Sequence, residues 1–293
     1  MLRVAEREES HAIRISARGH SRRRRESCSF PPLRIEFLSP PGNGSLFRGQ
    51  ERLKLVTHCR PAESFQQHLL LEYAVYRLLN VLTPKSFRVR LARVDYVEAG
   101  RPNSVLSRYG FFVEDVDDVA RRNRLQEMEG GNVAFVRLSA ADTARFAIFQ
   151  YMIGNVDWSA HAGPAGRDCC HNSRLLRTGP ESASGLVPVP YDFDQSGMVD
   201  VPYAVVPPSL PLRSIRERRY RGYCIHNAEV QAAAAEARAA RSSLERTLID
   251  VPGLEPGTRR RAMSYMARFF DDVATSQRVS SRLLNDCRSS GAS

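Results

Sequence analysis

Apolar and polar residues alternate over residues 11–17 (His-Ala-Ile-Arg-Ile-Ser-Ala) and again over 31–37 (Pro-Pro-Leu-Arg-Ile-Glu-Phe). A period of two predicts half-buried strands. A Pro/Gly/Asn-rich turn at 40–44 leads to a third strand over 52–58. The period then changes. After Pro61-Ala-Glu-Ser, Phe65, Leu69, Tyr73, Tyr76 and Leu79 recur near helical spacing, which predicts a long amphipathic helix to about Asn80. Two more strands are expected over 87–97 and 109–114. Beyond 114 the pattern turns helical: a charged helix over 115–128 stopped by Gly130-Gly131-Asn132, then a helix over 143–152 capped by Ser139. Its Phe146, Ile148, Phe149 and Met152 call for burial. Residues 186–191 read as a short strand that its prolines restrict to an edge or a ligand-facing position. Residues 200–212 are proline-rich and read as extended. Further helices are expected from Gln231 toward Leu248 and over 256–284.

These elements predict an α+β protein with two lobes. Residues 1–114 would be a nucleotide-binding lobe, an antiparallel sheet with one long helix. Residues 115–293 would be a mainly helical catalytic lobe. The order alone is shared by many α+β domains. With 42% apolar residues in 293, a sizeable core is available. No stretch reaches the roughly 18–20 apolar residues of a membrane span, and the first thirty residues are too charged for a signal peptide. The chain starts almost directly in a strand-like segment, which leaves room for a preceding piece; cytoplasmic and secreted locations both stay open.

Charge adds a puzzle. The formal +11 is carried by arginine, because Lys54 and Lys85 are the only lysines. Six arginines between Arg14 and Arg25 read either as a solvated tail or nucleic-acid patch, or as part of a generally Arg-rich chain; nucleic acid is the less favoured partner. The six cysteines show no CxxC zinc pattern. Free buried thiols are the favoured expectation. In an oxidising compartment one of the adjacent Cys169 and Cys170 would pair with Cys224, since neighbours seldom bond to each other.

Candidate chemistry lies in three acidic motifs: Asn155-Val-Asp157-Trp158, Asn172, and Tyr191-Asp192-Phe193-Asp194. Carboxylate, amide and carboxylate in that order suit phosphoryl transfer from ATP. One Asp (Asp157) orients the attacking hydroxyl, while the Asn and a second Asp hold metal on the phosphates. Asn172 follows Asp157 by fifteen positions, across an inserted loop. Asp192, Asn172 and Asp194 are hard oxygen donors that suit Mg²⁺ or Mn²⁺; the histidines show no ligand spacing. A scarce lysine mid-strand, Lys54, implies a need for a compact ammonium. Glu72, set in the run Leu-Leu-Leu-Glu-Tyr-Ala, is its natural partner, with Glu63 the competitor. Arg18-Gly19-His20-Ser21 occupies the place of a phosphate-covering loop, although one glycine is equally an ordinary turn.

Taken together, the Arg18-Gly-His-Ser loop before Phe30-Pro-Pro-Leu-Arg-Ile, the Leu-Glu-Tyr-Ala-Val-Tyr-Arg-Leu-Leu-Asn helix, the strand ending Gly110-Phe-Phe-Val-Glu114, Asn155-x-Asp157 and Tyr-Asp-Phe-Asp resemble the spore-coat CotH-type kinases, over roughly residues 12–200. The resemblance implies an atypical protein-kinase-like fold that binds ATP with a divalent metal and phosphorylates protein Ser or Thr. It implies Asp157 as catalytic acid, Asp192 as metal ligand, Lys54 and Glu72 as the ion pair of the nucleotide lobe, and Glu114 at the hinge near adenine. Residues after about 205 lie outside it. The expected function is therefore an ATP- and metal-dependent phosphotransferase acting on a protein substrate. A pseudokinase scaffold and a metal-dependent nuclease using Asp157, Asp192 and Asp194 are the alternatives, and nucleotidyl transfer fits the same residues.

Overall fold

A computed structural model describes residues 2–4, 7–19, 21–98 and 100–289. The chain divides into two compact units, Met1–Leu69 with Val89–Asp115, and Leu70–Arg88 with Val116–Ser293. The break after Asp115 lies one residue from the expected 114/115 boundary, while residues 70–88 join the second unit.

The first unit holds a short hairpin of β1 (Leu2–Val4) and β2 (Arg7–Glu9), which the pattern did not announce. A five-stranded antiparallel sheet follows: β3 (Ile13–Ala17), β4 (Leu33–Phe37), β5 (Arg52–Val56), β6 (Val89–Glu98) and β7 (Arg101–Val113), in the order β3-β4-β5-β7-β6. Ile35, Leu53, Leu55, Val56, Phe111 and Val113 are buried and form its apolar layer. β7 begins eight residues before the expected 109, because β6 and β7 make one long hairpin with a bulge at Val97/Glu98. Polar residues dominate the early half of β7, so alternation does not mark it. Arg52 clamps Asp115 with two hydrogen bonds, at 2.9 and 3.3 Å.

Helix α1 (Glu63–Leu82) begins in the first unit and ends in the second. Near its start, Gln66 accepts from the backbone N–H of Tyr109 at 2.9 Å. Every residue from Leu69 to Tyr76 is buried, as expected for a helix that is apolar nearly all round.

The second unit contains α2 (Val116–Arg122), β8 (Gln126–Met128), α3 (Ala140–Ile153), β9 (Ser173–Arg177), β10 (Val187–Pro190), α4 (Asn227–Ala239), α5 (Arg241–Ile249), α6 (Pro256–Asp272) and α7 (Ser276–Arg282). The expected helix over 115–128 is cut to seven residues. Arg124 adopts φ +56°, the N–H of Leu125 turns back to Ala120 O, and 126–128 pair with β9 instead. β10 is an edge strand in the order β10-β9-β8, where its prolines do not interrupt a second ladder. The helical stretches expected near the C-terminus are each broken once, at Ala240 and at 273–275, where Thr275 caps α7.

α3 starts as the sequence implies. Ser139 Oγ accepts from Asp142 N–H, and Lys85 Nζ pairs with the Asp142 carboxylate at 2.7 Å. At its other end Gly154 takes φ +65° as the cap. Arg218 donates to the carbonyls of Tyr151 and Met152 and to Tyr265 O, helping to satisfy the last turn of α3.

All six cysteines are paired: Cys28–Cys59, Cys169–Cys170 and Cys224–Cys287. This overturns the expectation of free thiols and of a bond from Cys169 or Cys170 to Cys224. Backbone pairing explains two of the bonds. The Phe30/Cys59 and Tyr223/Arg288 bridges set residues 28 and 287 beside their partners, a proximity that sequence spacing conceals. Among the described residues no helix is long and apolar enough to cross a membrane. The molecule is an α+β protein with an N-terminal antiparallel sheet and a mainly helical C-terminal part.

Candidate functional site

The site grows from the end of α3. Once Gly154 has closed the helix, Asn155 N–H bonds Gln150 O and its side chain turns inward, 1% exposed. Asn155 Oδ1 accepts from the Asp157 N–H at 3.0 Å, and its carbonyl accepts from Trp158 Nε1 at 3.0 Å. Trp158 is sunk in a cluster with Val133, Leu138, Phe146, Leu175, Leu186 and Tyr223. Asp157 thus stands on a buried footing, with about a quarter of its side chain exposed.

The fifteen-residue gap to Asn172 costs little distance. Ser159 and His171 exchange backbone hydrogen bonds at 2.9 and 3.1 Å. Residues 160–170 are therefore an excursion pinched at its neck, and the chain re-enters beside Asp157. Asn172 then donates Nδ2 to both the backbone oxygen (2.8 Å) and Oδ2 (3.0 Å) of Asp157. His171 Nε2 lies 2.7 Å from Asp157 Oδ1, and Gln195 Nε2 donates to Oδ2 at 3.3 Å. The Asp157 hydrogen bond raises the proton affinity of His171 against the opposing effect of burial; the charges of Asp157 and Asp192 add to the rise and Arg221 opposes it.

Asn172 and Asp192 lie at the open end of the β9–β10 hairpin, where the register sets Asn172 opposite Tyr191 and Asp192 one residue further on. Ser173 pairs with Pro190, and the Tyr191 N–H donates to Asn172 O at 3.0 Å. Both residues adopt the left-handed conformation, φ +51° and +63°, which Asn and Asp tolerate better than other non-glycine residues. Asp192 N–H is held by Tyr76 Oη at 2.9 Å. Phe193, fully buried, is anchored between Tyr76 and Phe149, with ring centres 4.7 and 5.5 Å away. Asp194 is 5% exposed and accepts from Tyr203 Oη at 2.9 Å; it belongs to this buried support.

The remaining expected residues lie on other elements. Lys54 sits mid-β5, paired in register with Arg34 and Val113. Glu72 is 3% exposed on the part of α1 that belongs to the second unit. Glu114 lies in the link between β7 and α2. Arg18 and Gly19 lead out of β3, Gly19 with φ +92°, and Ser21 opens a short 3₁₀ turn; His20 lies outside the described residues. The far end of that loop is tied to the segment after β5 by the Cys28–Cys59 disulfide and by Arg60, which donates to Ser27 O and Glu26 O.

Among the described residues no three His, Cys, Asp or Glu side chains gather into a group that could hold a metal ion. A divalent cation here would rest on the Asp192 carboxylate and on Asn172 Oδ1, the amide oxygen opposite the N–H₂ bound to Asp157. The remaining ligands would come from a bound substrate, the sparse manner in which Mg²⁺ is commonly held. His171, Gln195 and Tyr76 are the site residues that no motif spacing signalled, since their partners lie 14, 38 and 116 residues away.

Fold and site define an α+β protein whose helical unit carries an Asp–Asn–Asp constellation at the mouth of a β-hairpin. Compared with protein-family models and with curated protein sequences, the chain shows no match.

Proposed function

We propose that this protein is an ATP- and Mg²⁺- or Mn²⁺-dependent phosphotransferase of protein-kinase-like, CotH-type organisation, acting on Ser or Thr of a protein substrate. The carrying observation is the hairpin that presents Asn172 and Asp192 together while Asn172 bonds Asp157 through both backbone and side chain. That is the relation phosphoryl transfer asks of a hydroxyl-orienting acid and two metal-holding groups. Two features of the element order support the reading. Lys54 lies on the third strand of the five-stranded sheet in chain order, and the helix bearing Glu72 follows directly, as for the lysine and its glutamate in protein kinases.

Asp157 would accept the hydroxyl hydrogen bond and align the nucleophile. His171, Asn172 and Gln195 fix its carboxylate plane. Asp192 and Asn172 would hold the cation, which when bound neutralises phosphate charge. The CotH-type resemblance assigns Lys54 and Glu72 to the ion pair of a nucleotide lobe, Arg18, Gly19, His20 and Ser21 to its phosphate-covering loop, and Glu114 to the hinge. The three cystines fit an oxidising compartment.

Incubation with γ-labelled ATP and Mg²⁺ tests the proposal. Asp157→Ala is expected to cut label transfer by roughly a hundredfold or more while thermal stabilisation by ATP persists. Asp192→Ala should weaken that stabilisation in its Mg²⁺-dependent part. Unchanged turnover in Asp157→Ala removes the assignment, and transfer from α-labelled ATP would make the enzyme a nucleotidyltransferase. A second reading, a nucleotide-binding pseudokinase, has one observation in its favour: both carboxylate oxygens of Asp157 already accept hydrogen bonds. ATP binding without any label transfer would select it.

A further inference from the structure

We infer that the half-buried guanidinium pair Arg221 and Arg288, beside Asp157, is the specificity site of the proposed transferase and takes an anionic group of the acceptor polypeptide, a carboxylate or a phosphorylated side chain. The inference rests on the phosphotransferase reading, and its test separates the two.

The pair is assembled from two segments well separated in the chain. Arg221 donates to the Val156 carbonyl, and its Cζ lies 5.5 Å from the centre of the Trp158 ring, the residue after Asp157. Arg288 arrives from 67 positions later in the chain. Its N–H bonds Gly222 O at 2.7 Å, its carbonyl accepts from Cys224 N–H at 3.0 Å, and the Cys224–Cys287 bond fixes the join. Arg288 Cζ then lies 5.7 Å from the Tyr223 ring, itself 6.2 Å from Trp158. Two cations therefore rest on neighbouring aromatic rings next to the site.

Among the described residues neither guanidinium forms an ion pair within 4 Å, and Arg288 Nη1 is buried with no hydrogen-bond partner. Burial first, then the charge of Arg288, lowers the Arg221 guanidinium to about 10. Asp157 is the nearby counter-charge, but its oxygens are engaged by His171, Asn172 and Gln195. Two guanidinium groups brought together, one with an N–H that the protein does not engage, suit a carboxylate or phosphate, and the planar fork of Arg matches both anions. A polypeptide fits better than a nucleic acid. Trp158 and Tyr223 are 3% and 1% exposed, so no base can stack on them, and two cations are few for a polyanionic backbone.

The test uses the full chain and three fluorescent peptides, each with one serine flanked by glutamates, by phosphoserines or by lysines. Binding is read by anisotropy and transfer by γ-label. An anionic peptide is expected to bind at least roughly tenfold tighter than the lysine peptide, with the glutamate and phosphoserine arms naming the anion. Arg288→Gln should erase most of that preference, Arg288→Lys retain part of it, and Arg288→Glu reverse it, with thermal midpoints confirming that each variant is folded. Equal binding of acidic and basic peptides by the wild type, or a preference untouched in folded Arg288→Gln, overturns the inference. So does displacement of the acidic peptide by a single-stranded oligonucleotide at lower concentration than by unlabelled peptide. Selective acidic-peptide binding without label transfer would instead leave the anion site standing and remove the phosphotransferase reading.

Discussion

His58 shows how a single residue ties the sheet unit to solution conditions. It is 1% exposed, its ring packs against Phe30 and Tyr96 at 4.4 and 5.5 Å, and neither ring nitrogen has a hydrogen-bond partner. Burial, with Arg108 nearby, lowers its imidazole to about 4. The folded value lies below the unfolded one, near 6.5, so the unfolded chain binds the proton more readily. Stability from this residue is complete above about pH 6.5 and is lost as pH falls toward 4, by about 3 kcal/mol in all. Urea unfolding between pH 7.5 and 4 should show that decline, and His58→Phe should flatten it; an unaltered slope in the variant would mean other groups carry it. Nothing in the sequence marks His58, a histidine at the end of a strand. Asp157 and Asp192 were legible because each stands at the edge of an apolar segment. His171 was not, because its role depends on the Ser159/His171 neck, a contact that no local pattern encodes.

At the scale of elements, period and capping carried most of the reading. α1 and α3 appear where apolar spacing and Ser139 place them, and β10 is an edge strand as its prolines require. The misses have a common cause. β8 is only three residues long and β9, Ser-Arg-Leu-Leu-Arg, does not alternate, so neither shows a period, and their strand character comes from pairing with each other and with β10. The turn that launches the site is a sharper case. A Cβ on Gly154 would lie 1.9 Å from Tyr265 Oη, and the residue also holds φ +65°. Backbone strain of about 1–2 kcal/mol and overpacking of similar size should make Gly154→Ala cost about 2–4 kcal/mol in urea. Adding Tyr265→Phe removes the obstructing hydroxyl and should restore the packing part alone. Simple additivity in that double-mutant cycle would show that the two residues do not collide.

For the molecule as a whole, the least legible feature is the set of cross-links, since the 28–59 and 224–287 pairings become visible only when strands and bridges have formed. Cys224–Cys287 closes a separation of 63 residues and fastens the C-terminal segment to the loop that follows residue 220. In the chain-entropy account such a loop contributes about 4 kcal/mol by restricting the unfolded state. For a body of this size that corresponds to a fall in Tm of roughly 8–16 °C on removal. The same bond positions the backbone of Arg288 beside Gly222, so its loss should also loosen one half of the guanidinium pair. A Cys224→Ser/Cys287→Ser variant is therefore expected to melt early and to lose acidic-peptide preference together. Cys28→Ser/Cys59→Ser, whose bond spans 31 residues in the sheet unit, should lower Tm and leave that preference intact. Differential scanning calorimetry beside peptide anisotropy separates the two effects. If both double variants lose the preference equally, general destabilisation is responsible and the local role of the 224–287 bond is refuted.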